Sequence, residues 1–253
     1  MIHYHGTPFS GPDFNHSALQ GKHAMVSFAS PGHISTIAEV CQSFCLDNGA
    51  FSAWTKGKEL DFDAYMEWAE NWLRHPGCDF AVIPDKIDGT EQENDLLIDR
   101  VFGRGKNHAK TKMHWVPVWH LHESIERLVK LCEWPRLCLG SSGAFATIGT
   151  KKWWDRMCEA MEAITDDEGF PKTKIHGLRM LDPGLASYIP FTSADSTNVA
   201  RNMGIDVRWN GPYAPRTAKT RALVIAERIE NHAVAARWHK GFCVKQANFD
   251  LVG

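Results

Sequence analysis

Short apolar runs and amphipathic stretches take turns along nearly the whole chain. The apolar runs read as strands at residues 2–6, 24–29, 43–48, 79–85, 114–120, 136–141, 174–181 and 188–195. Between them, apolar positions recur at helical spacing over 62–74, 91–102, 123–133, 151–165 and 218–238. The first of these helices starts from Asp61 and carries Phe62, Tyr65, Trp68, Ala69 and Trp72 at three- and four-residue steps. Eight strands with helical or loop crossovers predict an α/β fold, a parallel (β/α)₈ TIM-like barrel. The first three connections are weakly helical, which leaves an open doubly wound sheet as the alternative. No GxGxxG opens a helix, so the nucleotide-binding version of that sheet has no support. The barrel is expected over about 1–202, with a basic C-terminal loop and helix over 203–253, all in a single domain.

Composition changes this picture little. A length of 253 residues suits one barrel, and 43% hydrophobic with 23% charged residues is ordinary for a soluble globular protein. A formal charge of −2 excludes a global attraction to nucleic acid, so any such attraction must be local. No apolar run approaches the roughly 20 residues of a membrane span, so no membrane partner is expected. Seven cysteines at 41, 45, 78, 132, 138, 158 and 243 form no CxxC pair, and no signal peptide precedes them. Reduced thiols in a cytoplasm are the expectation.

In a barrel, catalytic groups stand at the C-terminal ends of the strands. Reading each strand there gives His3 and His5, Asp47, Asp85-Lys86, His120, Gly140-Ser141-Ser142, Arg179 and Asp195. One Asp after a strand is common turn chemistry. Three acids and a histidine converging on one rim are a stronger signal. Carboxylates facing a substrate suit acid/base work or attack on an anomeric carbon, where a covalent glycosyl intermediate passes to water or to a nitrogen base. Phe51 can stack on a flat ring and Ser141 can hydrogen-bond its edge; the plainer alternative makes Phe51 a core plug and Ser141-Ser142 a turn. The rival chemistry is a metal-dependent TIM-barrel amidohydrolase, sketched by His3, His5, Lys86, His120, His176 and Asp195, since HxH on a strand points both rings to one face. Against it, His176 falls at the start of its strand, and His3 leaves almost no strand before the motif.

The stretch Asp47-Asn48-Gly49-Ala50-Phe51 resembles the DSGGF element of tRNA-guanine transglycosylases. VIPDKIDG at 82–89 resembles the segment bearing that family's base-recognising aspartate. VPVWH at 116–120 and CLGSSG at 138–143 occupy the places of its VQGG and LGGLAVG strands. SADSTNVA at 193–200 resembles the strand end with its nucleophilic aspartate. No CxCxxC…H spacing exists among the cysteines, and the PTRNAR tail is not reproduced in register, although Ala200-Arg201-Asn202 echoes it. The missing zinc subdomain and the compact length look more like the phage-type 7-deazaguanine DNA transglycosylases, which would place the protein in a host cytoplasm.

The resemblance implies replacement of guanine in DNA by a free 7-deazaguanine base such as the 7-cyano form, with tRNA as the alternative substrate and neither cofactor nor metal. It implies that Asp195 attacks the sugar C1′ and that Asp47 manages the proton. It further implies that Asp85 reads the purine N–H groups, that Phe51 stacks, and that Asn48, Gly49, Gly140 and Ser141 complete the pocket. His120 stands near a pocket glutamine of the family, with Trp119 competing because the alignment can slip by one. A third possibility is a barrel that binds nucleic acid without catalysis.

A base in a duplex must be flipped or single-stranded to be attacked, and phosphates need cations. Residues 201–240 hold eight basic residues against three acids, with Trp209, Tyr213 and Trp238 interleaved. Arg201, Arg208, Arg216, Lys219 and Arg221 follow the last strand and are the candidate phosphate contacts; Arg228 and Arg237 read as the solvated face of a helix. The basic run at 104–112 falls on the opposite face and reads as a solvated loop.

Overall fold

The computed structural model describes residues 1–7, 18–104, 108–197, 199, 215–231 and 236–242. Nine strands are β1 Ile2–Gly6, β2 His23–Ser27, β3 Ser43–Asp47, β4 Cys78–Val82, β5 Trp115–Val116, β6 Val118–His120, β7 Arg136–Gly140, β8 Lys174–Leu178 and β9 Ser193–Ser196. Every pairing is parallel, in the order β5-β4-β3-β2-β1-β9-β8-β7-β6. The two ends of that order are separated in sequence by Pro117 alone, so the sheet curls into a nearly closed barrel compatible with a TIM-like fold. An open doubly wound sheet does not fit this order.

One expected strand, 114–120, is therefore two. Pro117 has no N–H to give to a ladder. Before it, Val116 O accepts from Ile83 N; after it, Pro117 O accepts from Cys138 N. The chain changes neighbours at the proline. The expected strand 188–195 becomes Ser193–Ser196, because Tyr188 and Ile189 turn back onto Leu185 O after a short helix, Pro183–Ala186, and a loop follows.

Side chains alternate between two environments along the strands, with one register shift where β3 pairs β4. Tyr4, Met25, Cys45, Phe80, Val82, Val116, Val118 and Cys138 fill the barrel interior. Their neighbours Ala24, Val26, Phe44, Leu46, Ala81, Trp119, Leu137, Leu139, Ile175 and Ala194 pack outward under the helices. Both faces are apolar, as parallel strands under helices require.

The described helices are α1 Ile34–Val40, α2 Ala50–Thr55, α3 Phe62–Trp72, α4 Glu91–Arg104, α5 His108–His114, α6 Ile125–Leu131, α7 Lys151–Ile164, α8 Pro183–Ala186 and α9 Ala218–Glu230. Asp61, Ser124, Thr150 and Thr217 cap α3, α6, α7 and α9 by accepting from Ala64, Arg127, Trp153 and Thr220 N–H groups. Thr90 and Glu93 exchange hydrogen bonds at the start of α4. Helices α1 and α2 fall where the sequence is weakly helical, and α5 replaces part of the expected basic loop, leading into the N-terminal end of β5. The last helix ends at Glu230 rather than 238.

Cys41, Cys45, Cys78, Cys132 and Cys138 are free thiols. Cys158 is disulfide-bonded, so the expectation of a fully reduced set fails there. It sits on α7, in the outer layer where a side chain can meet another segment of the chain. Among the described residues no helix is long and apolar enough to cross a membrane.

Candidate active site

Alternation fixes which residues reach the C-terminal mouth of the barrel. Continuing the interior positions upward gives Gly6 on β1, Ser27 on β2, Asp47 on β3, His120 on β6, Gly140 on β7, Leu178 on β8 and Asp195 on β9. All of them line one cavity of about 510 Å³, together with Asn48, Phe51, Asp85, Ser141, Arg179 and Lys56. Asp47, Asn48, Phe51, Asp85, His120, Gly140, Ser141 and Asp195 are thus brought together, with Gly49 directly behind Asn48. The competition between Trp119 and His120 is resolved by parity. Trp119 points into the outer layer, where its Nε1 donates to Ser124 O, and His120 faces the cavity.

The turn after β3 explains the DNGAF stretch. Gly49 has φ +80, and a Cβ there would lie 3.0 Å from Ala29 N, so glycine is required. Asp47 Oδ2 accepts from Gly49 N at 3.1 Å, and Asn48 Oδ1 accepts from Ala50 N at 2.7 Å. The chain enters α2 immediately and places Phe51 on the cavity wall. Asn48 then donates from Nδ2 to Ile83 O (3.0 Å) and to Asp85 Oδ1 (2.6 Å), so its amide is spent on holding Asp85.

The three carboxylates have different surroundings. Burial pushes the Asp47 carboxyl up to about 6; the Ser27 hydroxyl and Gly49 N–H oppose this, while the charges of Asp195 and Asp85 add to it. Asp85 is 7% exposed, and its Oδ2 lies 2.9 Å from His120 Nε2. That approach is off the line of a hydrogen bond, so the contact is an ion pair by distance alone. Burial pulls His120 down, but the Asp85 carboxylate and then Glu123 outweigh it, and the imidazole holds its proton above the usual histidine range. Its backbone N–H is anchored at 2.8 Å by Glu123 Oε2, which also accepts from Arg127 Nη1 at 2.7 Å. Gly140 is small because a Cβ there would come within 2.8 Å of His120 Nδ1.

Asp195 is 4% exposed, and its Oδ1 accepts from Arg179 N at 2.8 Å. Arg179 has φ +60, which among the described residues no other non-glycine shares in sign, and this backbone turn aims its N–H at the carboxylate. Its guanidinium stacks over Phe51, 3.5 Å from the ring centre. The Ser141 hydroxyl is taken up locally, donating to Phe145 O and accepting from Trp153 Nε1.

The metal-hydrolase set does not assemble. His3 and His5 share a face, as HxH requires, but it is the outer face. There His3 Nδ1 and His5 Nε2 meet Glu230 of α9 at 3.3 and 2.8 Å. Among the described residues, no group of three or more His, Cys, Asp or Glu side chains is arranged to hold a metal ion. His176 corrects a different expectation. Strand β8 ends at Leu178 rather than 181, so His176 sits mid-strand in the interior, its Nε2 3.4 Å from Asp195 Oδ1. Alternation from Asp195 to Ser193, which pairs with His176, is the signal that would have found it.

Arg201 and Arg208 lie outside the described residues. Arg216 and Lys219 are exposed near the start of α9, and Arg221 donates to Pro215 O and Arg216 O at its own helix start. None of the three lines the cavity. The cavity's cationic side chains are instead Arg179 and Lys56, the latter missed in the sequence and two residues from the exposed Trp54.

Comparison with known proteins finds no family model and no curated sequence that matches this chain.

Proposed function

We propose that the cavity is a base-exchange site, where a guanine in DNA is replaced by a free 7-deazaguanine through a covalent aspartyl-deoxyribosyl intermediate. The observation that carries the reading is the convergence of Asp47, Asp85 and Asp195 on one cavity that an aromatic ring also lines. A cavity of about 510 Å³ is of the size that takes a purine and its sugar. In this reading the nine described strands make an eight-stranded TIM-like barrel with one strand bent at Pro117, a single domain without a zinc subdomain.

Asp195 attacks C1′ with one carboxylate oxygen as the C1′–N9 bond breaks, and the sugar becomes an ester on Asp195. Asp47, with a carboxyl that titrates near 6, supplies the proton to the departing purine. The resulting Asp47 carboxylate takes the N9 proton of the arriving base, whose nitrogen then attacks C1′ and releases Asp195. Two inversions give retention at the sugar. Asp85 accepts from the purine N–H groups, because each carboxylate oxygen keeps a lone pair beyond its contact with Asn48 or His120. Phe51 stacks on the ring, His120 and Gly140 flank its edge, and Trp54 with Lys56 fits a nucleic-acid strand at the mouth.

The test is incubation of the protein with labelled guanine and either duplex DNA or tRNA. Incorporation into DNA supports the reading, and incorporation into tRNA alone moves the substrate to tRNA. Label in neither polymer overturns base exchange.

A further inference from the structure

His176 is an imidazole in the middle of the barrel interior, fully buried and outside the cavity lining, with the charges of Arg136 and Asp79 also acting on it from beside Phe80 and Tyr4. Three neighbours fix its ring. Ser193 Oγ lies 2.8 Å from Nδ1 across the β8–β9 pairing. The edges of Tyr4 and Phe80 close on its faces, with ring centres 5.8 and 5.3 Å away. Its free end, Nε2, points up at Asp195 Oδ1, 3.4 Å away and not yet aligned as a hydrogen bond.

The chemistry of a neutral imidazole orders these contacts. Burial lowers the proton affinity of His176, with Asp195 opposing, so the ring carries a single N–H. When the Ser193 hydroxyl donates to Nδ1, that N–H is on Nε2, facing Asp195. Asp195 Oδ1 is then held from the side by Arg179 N and from below by His176. Among the described residues, no hydrogen bond is made to Oδ2, and Asp195 lines the cavity.

We propose that His176, locked by Ser193, is the positioning residue for Asp195. It ties Oδ1 down and thereby presents Oδ2 to the substrate carbon. This rests on the reading of Asp195 as the nucleophile. Catalytic contacts of this kind tighten as the reacting complex forms. A histidine that only filled the interior would be replaceable by an apolar side chain without effect on turnover.

The experiment compares His176→Leu, His176→Gln and Ser193→Ala with wild type in the base-exchange assay, with kcat and KM measured separately. His176→Leu is expected to lower kcat by roughly 10–100-fold, the range seen when an outer partner of a reacting group is removed, with KM little changed. His176→Gln, whose amide can reach the same oxygen, is expected to recover most of that loss. Ser193→Ala, which keeps the ring but frees its tautomer, is expected to lower kcat less than His176→Leu does. A folded His176→Leu protein with wild-type kcat, equal losses for Leu and Gln, or a loss confined to KM would overturn the proposal. If His176→Leu does not fold, unchanged kcat in Ser193→Ala overturns it. If wild type exchanges no base, the function reading falls, and the ¹⁵N chemical shifts of the His176 ring still decide the geometry. An Nε2–H tautomer that responds to Asp195→Asn supports the proposal, and an Nδ1–H tautomer contradicts it.

Discussion

Replacing Asp47 by Asn should make the protein more stable at neutral pH and much slower. The carboxyl titrates at about 6 in the fold against 3.8 in the ordinary state, because burial and the charges of Asp195 and Asp85 penalise its ionised form. Below about pH 3.8 the group is protonated in both folded and unfolded chains and costs nothing. As pH rises towards 6 the unfolded chain ionises more readily than the fold, and the penalty is complete above that. Two units correspond to about 3 kcal/mol, reduced to roughly 2 kcal/mol by water in the open cavity. Asn keeps the size of Asp and an oxygen for the Gly49 N–H, so it removes the charge with little other change. The melting temperature of Asp47→Asn should therefore exceed wild type by roughly 4–8 °C at pH 7.5, and the gap should narrow at pH 4.5. The same variant should lose about 10²–10⁴-fold in exchange rate. Thermal unfolding at the two pH values is the assay. A less stable Asp47→Asn, or a gap independent of pH, would refute the electrostatic account.

Three further outcomes are expected. Gly140→Ala puts a methyl 2.8 Å from His120 Nδ1, so it should cost about 1–3 kcal/mol in denaturant unfolding and raise KM for the base more than it lowers kcat. Glu230→Ala strips the shared partner from His3 and His5; stability should fall by about 1–3 kcal/mol while kcat of the folded protein is unchanged, and loss of turnover would return these histidines to the chemistry. Arg179→Gly should be more stable than Arg179→Ala by about 1 kcal/mol, because φ +60 is free of strain only for glycine, and equal stabilities would remove the case for a strained backbone there.

Much of the site was legible because strands end where their apolar runs end. Asp47, Asp85, His120, Gly140 and Asp195 follow such runs directly, and a parallel barrel brings those ends to one mouth. What a run cannot say is which face of a strand looks inward when both faces are buried. His3 and His5 were read correctly as sharing a face, but nothing local tells that it is the outer one; Glu230, more than two hundred residues later, takes them. Extending 174–181 by three residues past Leu178 was enough to put His176 at the wrong level. Pro117 carried a plain signal, its missing N–H, yet the residues around it are apolar enough to read as one strand. Arg221 is expected as a phosphate contact by charge; that its Nη1 donates to the carbonyls of Pro215 and Arg216 depends on a helix start that composition does not reveal.

The most direct test is to trap and map the covalent intermediate. Wild-type protein is incubated with guanine-containing DNA, denatured, and digested, and the peptide carrying residue 195 is sought by mass spectrometry with a deoxyribosyl adduct. The account predicts an adduct on Asp195 in wild type, formed more slowly in Asp47→Asn and absent from a folded Asp195→Asn protein that still binds DNA. An Asp195→Asn protein that exchanges bases at the normal rate, or an adduct on any other residue, would contradict it.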